Sequence, residues 1–203
     1  MDPRDIEKRS MEIIESELNV ELAPDIKPIV KRVIHATADF SFAENLRFTK
    51  NVVNIMRGML SGGATVITDT NMALAGISKP ALNKLNAKAL CMMADGDVAE
   101  EAKRRGVTRA TVCMERALKL PGQRLIVCGN APTFLFPLLD LDKKPENVAV
   151  IGVPVGFVNV VEAKQRLWDS DIDCIVAMGR RGGSNVAAAI VNALLYGIEG
   201  VRP

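Results

Sequence analysis

Residues 124–133 read R-L-I-V-C-G-N-A-P-T. Arg124–Cys128 is a short apolar run rich in branched side chains, and it stops at glycine, asparagine and proline. It therefore reads as a buried strand closed by a turn. Downstream the arrangement repeats: Val148–Ile151 ends in G-V-P-V-G-F-V-N, and Cys174–Met178 ends in G-R-R-G-G-S-N. Upstream, Ala64–Thr68 and Ala87–Met92 are runs of the same kind, the first followed by the polar turn Thr68-Asp69-Thr70-Asn71. Between them lie segments with helical spacing: Pro80–Asn86, Asp97–Arg105 closed by Gly106, Val160–Trp168 and Val186–Tyr196, with Thr108 as the N-cap of one more that carries Arg109 and Arg116. Five apolar strands separated by helices predict an α/β fold, a doubly wound and mostly parallel sheet with helices on both faces. No repeat or linker divides the chain. One domain is expected over residues 1–203, with N-terminal helices within 5–60 flanking an α/β core over 64–196.

The N-terminal part supplies the one side chain that titrates near neutral pH. His35 is the only histidine in the chain. In Ile26–Asp39 the residues Ile26, Ile29, Val30, Val33 and Ile34 form the apolar stripe of a helix, and His35 falls across from it. Arg32 at i−3 and Asp39 at i+4 share its side of the cylinder. Pro28 lies in the first turn, where proline is tolerated. Asp5–Leu18 is a plausible first helix whose Ser10 sits within the apolar spacing, either as a satisfied helix hydroxyl or as a polar group facing a pocket. Ser41–Phe48 reads as a loop, and Lys50–Leu60 as a helix ended by Gly62-Gly63.

Composition excludes several classes. A net charge of +2, with no basic run interleaved with aromatics, gives no footprint for nucleic acid. No apolar run reaches the length of a membrane span, and the charged N-terminus has no signal-peptide core. Aromatics are 4% of residues, so the core must be built from Ala, Val, Ile and Leu. Cys91, Cys113, Cys128 and Cys174 form no C-x-x-C, and a single histidine makes a zinc site improbable. They read as buried, reduced cysteines of a cytoplasmic protein, and no metal ligands are expected.

In doubly wound sheets, ligands bind beyond the carboxyl ends of the strands. Turns at Gly129, Gly152–Gly156 and Gly179–Gly183 each follow a strand and precede a helix. Such turns need glycine on structural grounds alone. Three together, one of them bearing Arg180 and Arg181, point to an anionic ligand. Neither a P-loop, nor a dinucleotide fingerprint, nor a G-x-S-x-G elbow is present.

The stretches I-E-K-R-S-M-E-I-I (Ile6–Ile14), R-V-I-H-A (Arg32–Ala36), G-N-A-P-T (Gly129–Thr133), G-V-P-V-G-F-V (Gly152–Val158) and G-R-R-G-G-S (Gly179–Ser184) together closely resemble the precorrin-8X and cobalt-precorrin-8 methylmutases of cobalamin biosynthesis. The resemblance runs from Ile6 to Leu195. It implies a flavodoxin-like fold, a homodimer, and a cofactor-free shift of a methyl group from C11 to C12 of the corrin ring. The product would be hydrogenobyrinate or, with cobalt carried in by the substrate, cobyrinate. The family's histidine falls on His35, taken to protonate the macrocycle. Its substrate-contacting serine falls on Ser10, and its arginines fall on Arg32 and Arg109. With Asn130, Arg180 and Gly183 on the glycine turns, these make the expected substrate-binding set for a tetrapyrrole bearing many carboxylates. Two departures stand out. Thr111–Met114 is T-V-C-M where small residues are common, bulkier beside Arg109, and Ala163 replaces a usual serine. Weaker alternatives are a non-catalytic corrinoid carrier and a generic phosphate- or nucleotide-binding flavodoxin-like module. Overall resemblance leans to the cobalt-containing substrate. The helices near Met56–Leu60 and Leu194–Tyr196 are the candidate dimer surfaces.

Overall fold

The computed structural model describes residues 3–143 and 145–201. The chain runs through α1 (Pro3–Glu17), α2 (Lys27–Thr37), the single turn α3 (Phe42–Asn45), β1 (Leu46–Phe48), α4 (Val52–Ser61), β2 (Thr65–Thr68), α5 (Asn71–Gly76), α6 (Lys79–Lys84) and β3 (Lys88–Leu90). It continues through α7 (Gly96–Arg105), α8 (Arg109–Leu118), β4 (Arg124–Cys128), a 3-10 turn at Pro132–Phe134, α9 (Phe136–Leu139), β5 (Val148–Gly152), α10 (Val160–Trp168), β6 (Asp173–Ala177) and α11 (Ser184–Tyr196).

Six strands form one sheet in the order β1-β6-β5-β4-β2-β3. Strands β2 to β6 are mutually parallel, and their order is the flavodoxin-like 2-1-3-4-5 pattern. The sixth strand is one the sequence reading treated as loop. Leu46–Phe48 pairs antiparallel with β6, Leu46 opposite Ala177 and Phe48 opposite Ile175. Three residues carry too little alternation to announce a strand. The pairing is fixed from outside, by Thr49 N–H donating to the Cys174 carbonyl at 3.1 Å and Met178 N–H to Asn45 at 2.9 Å.

The long apolar runs of the inner strands follow from burial on both sides. Leu125 and Val127 of β4 face one core, and Ile126 and Cys128 face the other. Strands β5 and β6 alternate in the same way. Helices α1, α2, α4, α5, α6 and α11 cover the first core, and α7 to α10 the second. The stripe on α2 behaves as its spacing dictates. Ile29, Val30, Val33 and Ile34 are buried against α11, each worth roughly 1.5–3 kcal/mol of burial. That packing fixes which face of α2 points outward. Met56, Leu60, Leu194 and Leu195 are buried in this chain's own core, so these side chains do not furnish a dimer surface. No helix of the described residues is long and apolar enough to cross a membrane.

Candidate active site

His35 stands exposed in the last turn of α2, on the side opposite the buried stripe. The expected carboxylate neighbour is not on that face. The helix ends at Thr37, and Ala38 takes a left-handed conformation (φ 52°) with its N–H on the Ile34 carbonyl at 2.7 Å. Asp39 is thereby carried off the helix. Its carboxylate pairs with Arg181 and accepts from the Ser41 N–H at 3.0 Å. Burial pushes its carboxyl up, but the Ser41 and Arg181 contacts hold it below the ordinary carboxylate range. Asp39 is thus the link between the end of the His35 helix and the Gly179–Gly183 loop.

Arg32, one turn before His35, is engaged on two sides. It donates to Glu7 of α1 at 2.9 Å and stands 5.6 Å from the centroid of the Tyr196 ring. Ser10 resolves in favour of the satisfied helix hydroxyl: it donates to the Ile6 carbonyl at 2.9 Å, one turn back in α1. Arg109 opens α8, in the layer on the other face of the sheet, exposed and donating to the Met93 carbonyl at 3.3 Å. His35 and Arg32 therefore share a helix, with Ser10 on the α1 helix packed beside it, while Arg109 belongs to the opposite layer. Val112, Cys113 and Met114 after it are buried in the second core, so these three fill the interior, and only Thr111 stays partly exposed beside Arg109.

The glycine turns lie at the carboxyl edge as expected, but the N–H groups of the first are already used. Asp69, buried at the end of β2, accepts from the N–H groups of Gly129 (2.9 Å), Asn130 (2.7 Å) and Ala131 (2.8 Å). Burial holds its carboxyl above the ordinary carboxylate range, an effect the three N–H bonds offset only in part. A chain carboxylate therefore fills the anion nest at the switch point between β2 and β4, where flavodoxin-like folds hold a phosphate. Beside it, Thr70 caps α5 and shares a 2.8 Å hydrogen bond with Ser184 at the start of α11. Gly129 is required by packing, because a Cβ there would sit 2.9 Å from the Ser184 Cα.

The last turn is held from within in the same way. Lys164 of α10 is wholly buried, and its ammonium donates to the carbonyls of Gly179 (2.8 Å) and Arg181 (2.7 Å). Burial pulls its pKa down to about 8. Gly183 N–H donates to the Val153 carbonyl at 2.9 Å, and Gly156 N–H to the Arg180 carbonyl at 3.2 Å. At Gly182 (φ 159°) a Cβ would collide with the Val153 carbonyl. Gly183 thus serves loop packing, and its N–H, like those of the Gly129–Ala131 turn, is already taken by an acceptor within the chain. What the turns offer outward is side chains. Asn130 is exposed, Phe157 and Val158 are 81% and 76% exposed, and Arg180 stands 5.4 Å from the Phe157 ring centroid. A guanidinium stacked by its face keeps its in-plane N–H donors free.

Asp69 and Lys164 are the residues that sequence reasoning missed. Asp69 sat in a turn read only as polar, and Lys164 was noticed only as the neighbour of an altered residue. A lysine flanked by Ala163 and three residues before Leu167, both buried, was the available signal. Cys113, Cys128 and Cys174 are buried and Cys91 is half-buried, and none of the four is in a disulfide.

The arrangement provides an exposed imidazole, arginines suited to carboxylates, and an apolar shelf, on a frame whose loops are locked from inside. Comparison with known proteins agrees. The family model described as Precorrin-8X methylmutase matches residues 5–197. The chain is 41% identical to a cobalt-precorrin-8 methylmutase of Salmonella typhimurium, over 96% of this chain and 95% of that one. It is 35% identical to a precorrin-8X methylmutase of Pseudomonas aeruginosa, with 95% of each covered. A solved precorrin-8x methyl mutase of Thermus thermophilus superposes with a TM-score of 0.86 at 32% identity, covering 95% of this chain and 96% of that one. On the strength of the order of its strands, its motifs and these matches, the chain belongs to the precorrin-8X methylmutase family.

Proposed function

We propose that this chain moves a methyl group from C11 to C12 of precorrin-8 or cobalt-precorrin-8, giving hydrogenobyrinate or cobyrinate, with His35 as the acid. Family membership makes it an isomerase of corrin biosynthesis. The observation that carries the residue assignment is the chain's single histidine, exposed on α2 by a stripe that admits no other orientation. Methyl migration conserves every atom. A proton given to the macrocycle by His35 makes the ring a better acceptor for the migrating carbon, and it returns when the ring tautomerises. The conjugated ring spreads the charge, so the reaction calls for no cofactor, and any cobalt arrives with the substrate.

The remaining task is to hold a flexible polyanion with its migrating and receiving carbons aligned, a proximity effect. Arg32, Arg109 and Arg180 suit the peripheral carboxylates, and the Phe157–Val158 shelf suits the ring face. Ser10, whose proton is spent on Ile6, keeps its lone pairs for a donor on the ligand. Asn130 offers its exposed amide, and Gly183 contributes through the loop it shapes. In the same reading the chain works as one domain in the cytoplasm, where its cysteines stay reduced. It forms a homodimer, as the family resemblance implies. Sedimentation should give about twice the 22.0 kDa chain mass, and a mass of one chain at enzyme concentration removes the dimer.

The test of function is an anaerobic visible-absorption time course with precorrin-8 and, separately, with cobalt-precorrin-8. A spectral conversion at unchanged product mass is expected with both, and faster with the cobalt complex. Binding without conversion in either case would leave a carrier and remove the enzyme.

A further inference from the structure

A cavity of about 600 Å³ opens where the first turn of α2 meets the last turn of α11, with α1 and α4 along its sides. Its walls carry four cations, Lys27, Lys31, Arg32 and Arg57, and one carboxylate, Glu15. Both lysines donate to Glu15, Lys31 at 2.8 Å, and Arg32 is paired with Glu7 at 2.9 Å. Four positive charges thus meet two negative ones. Arg57 is the cation left over. No hydrogen bond or ion pair joins its side chain to another described residue, and its Nε is shielded from water without a partner.

Buried donors without acceptors are rare, and they cost the full desolvation of the group. The location of Arg57 has a partial explanation. Its guanidinium lies against Gly197, the C-cap of α11, where an added Cβ would collide with it. The negative end of the helix attracts a cation there. That attraction accepts none of the five N–H groups. A ligand that both accepts from these groups and offsets the excess positive charge is an anion, and the planar fork of a guanidinium matches a carboxylate in both shape and number of donors. Met11 and Tyr196 add apolar wall beside the charges, which suits a carboxylate carried on a short methylene chain.

The cavity's position connects it to the chemistry. Arg32 lines it and precedes His35 by three residues, a rise of about 4.5 Å along α2. We infer that this cavity is a carboxylate subsite anchored by Arg57, which takes one acetate or propionate arm of the corrinoid whose ring lies at His35. The inference rests on the isomerase reading above, and it adds Arg57 to the residues that set which tetrapyrrole is accepted. An arm amidated at that position loses one of the two oxygens the fork requires.

Titration calorimetry of the wild type, Arg57→Gln and Arg57→Lys tests it, with cobyrinate as one probe and glutarate, a small dicarboxylate, as the other. Thermal unfolding of each variant establishes that it is folded, and Arg57→Lys keeps the charge if Arg57→Gln does not fold. Arg57→Gln should weaken cobyrinate binding by about 30-fold or more. Arg57→Lys should fall between, and glutarate should compete with cobyrinate in the wild type. Cobyrinate binding unchanged in both variants overturns the inference. If the wild type binds no corrinoid but takes glutarate in an Arg57-dependent way, the isomerase reading fails while the carboxylate site stands. Glutarate binding that ignores Arg57, in a protein that binds no corrinoid, removes both.

Discussion

Alanine in place of His35 lowers kcat for the methyl shift by roughly 10²–10⁴-fold, the range a positioned acid supplies. The loss is chemical and not structural. Ile29, Val30, Val33 and Ile34 carry the packing of α2, while His35 is exposed and holds no part of the core. Thermal stability should therefore stay within about 0.5 kcal/mol of the wild type, as for other exposed positions. Asparagine, which can donate a hydrogen bond but cannot deliver a proton at neutral pH, should be nearly as slow as alanine. Single-turnover absorption kinetics on the three proteins, with unfolding curves alongside, separates the two effects. Wild-type kcat in the alanine variant removes His35 from the chemistry.

Removing the Asp69 carboxylate damages the fold most. Asp69→Ala leaves the N–H groups of Gly129, Asn130 and Ala131 without their acceptor, together with the Cys128 thiol that also points at Asp69. Unpaired buried donors cost about 1–3 kcal/mol each, and some of this is recovered as water enters. A net loss of about 3 kcal/mol is expected, which for a chain of this size lowers Tm by roughly 6–12 °C. Asparagine is a poor substitute, since its amide places a donor where three donors already converge. The nest emptied by Asp69→Ala should itself bind a small anion, so acetate at tens of millimolar should restore part of the lost Tm in the variant and none in the wild type. An unchanged midpoint in Asp69→Ala contradicts the clamp.

How much of this was legible in the sequence differs from element to element. Strand β4 and helix α10 fall where their patterns place them, because a continuous apolar run and an amphipathic period each leave an unambiguous signature. The Thr108 cap is equally local, its hydroxyl accepting from the Thr111 N–H at 3.1 Å. His35 was legible for the same reason, since its exposure follows from the spacing of its neighbours within one helix. Strand β1 was not, because its pairing is decided by β6, over a hundred residues later. Asp39 was misplaced because helical geometry was extended one residue past a left-handed C-cap that no glycine announced. The glycine turns were found, but their purpose was not. Whether a turn's N–H groups face a ligand or a carboxylate of the chain depends on Asp69, 60 residues away from Gly129. Likewise nothing in Glu162-Ala163-Lys164 says that the ammonium reaches the carbonyls of Gly179 and Arg181.

These internal clamps bear on catalysis through rigidity. Asp69 fixes the Gly129–Ala131 turn and Lys164 the Gly179–Arg181 turn, while Arg181 ties the latter to Asp39 at the end of the His35 helix. A shelf for a floppy macrocycle is useful only if it does not itself rearrange, and buried, fully satisfied polar groups supply that stiffness.

The most direct test follows the migrating atom. Substrate carrying a carbon-13 methyl at C11 would be given to wild type and His35→Ala in single-turnover amounts, and the product examined by NMR and mass spectrometry. The account predicts that the label appears on C12 at unchanged mass in the wild type and stays on C11 in the variant. A label that stays on C11 in the wild type, or leaves the molecule, contradicts it.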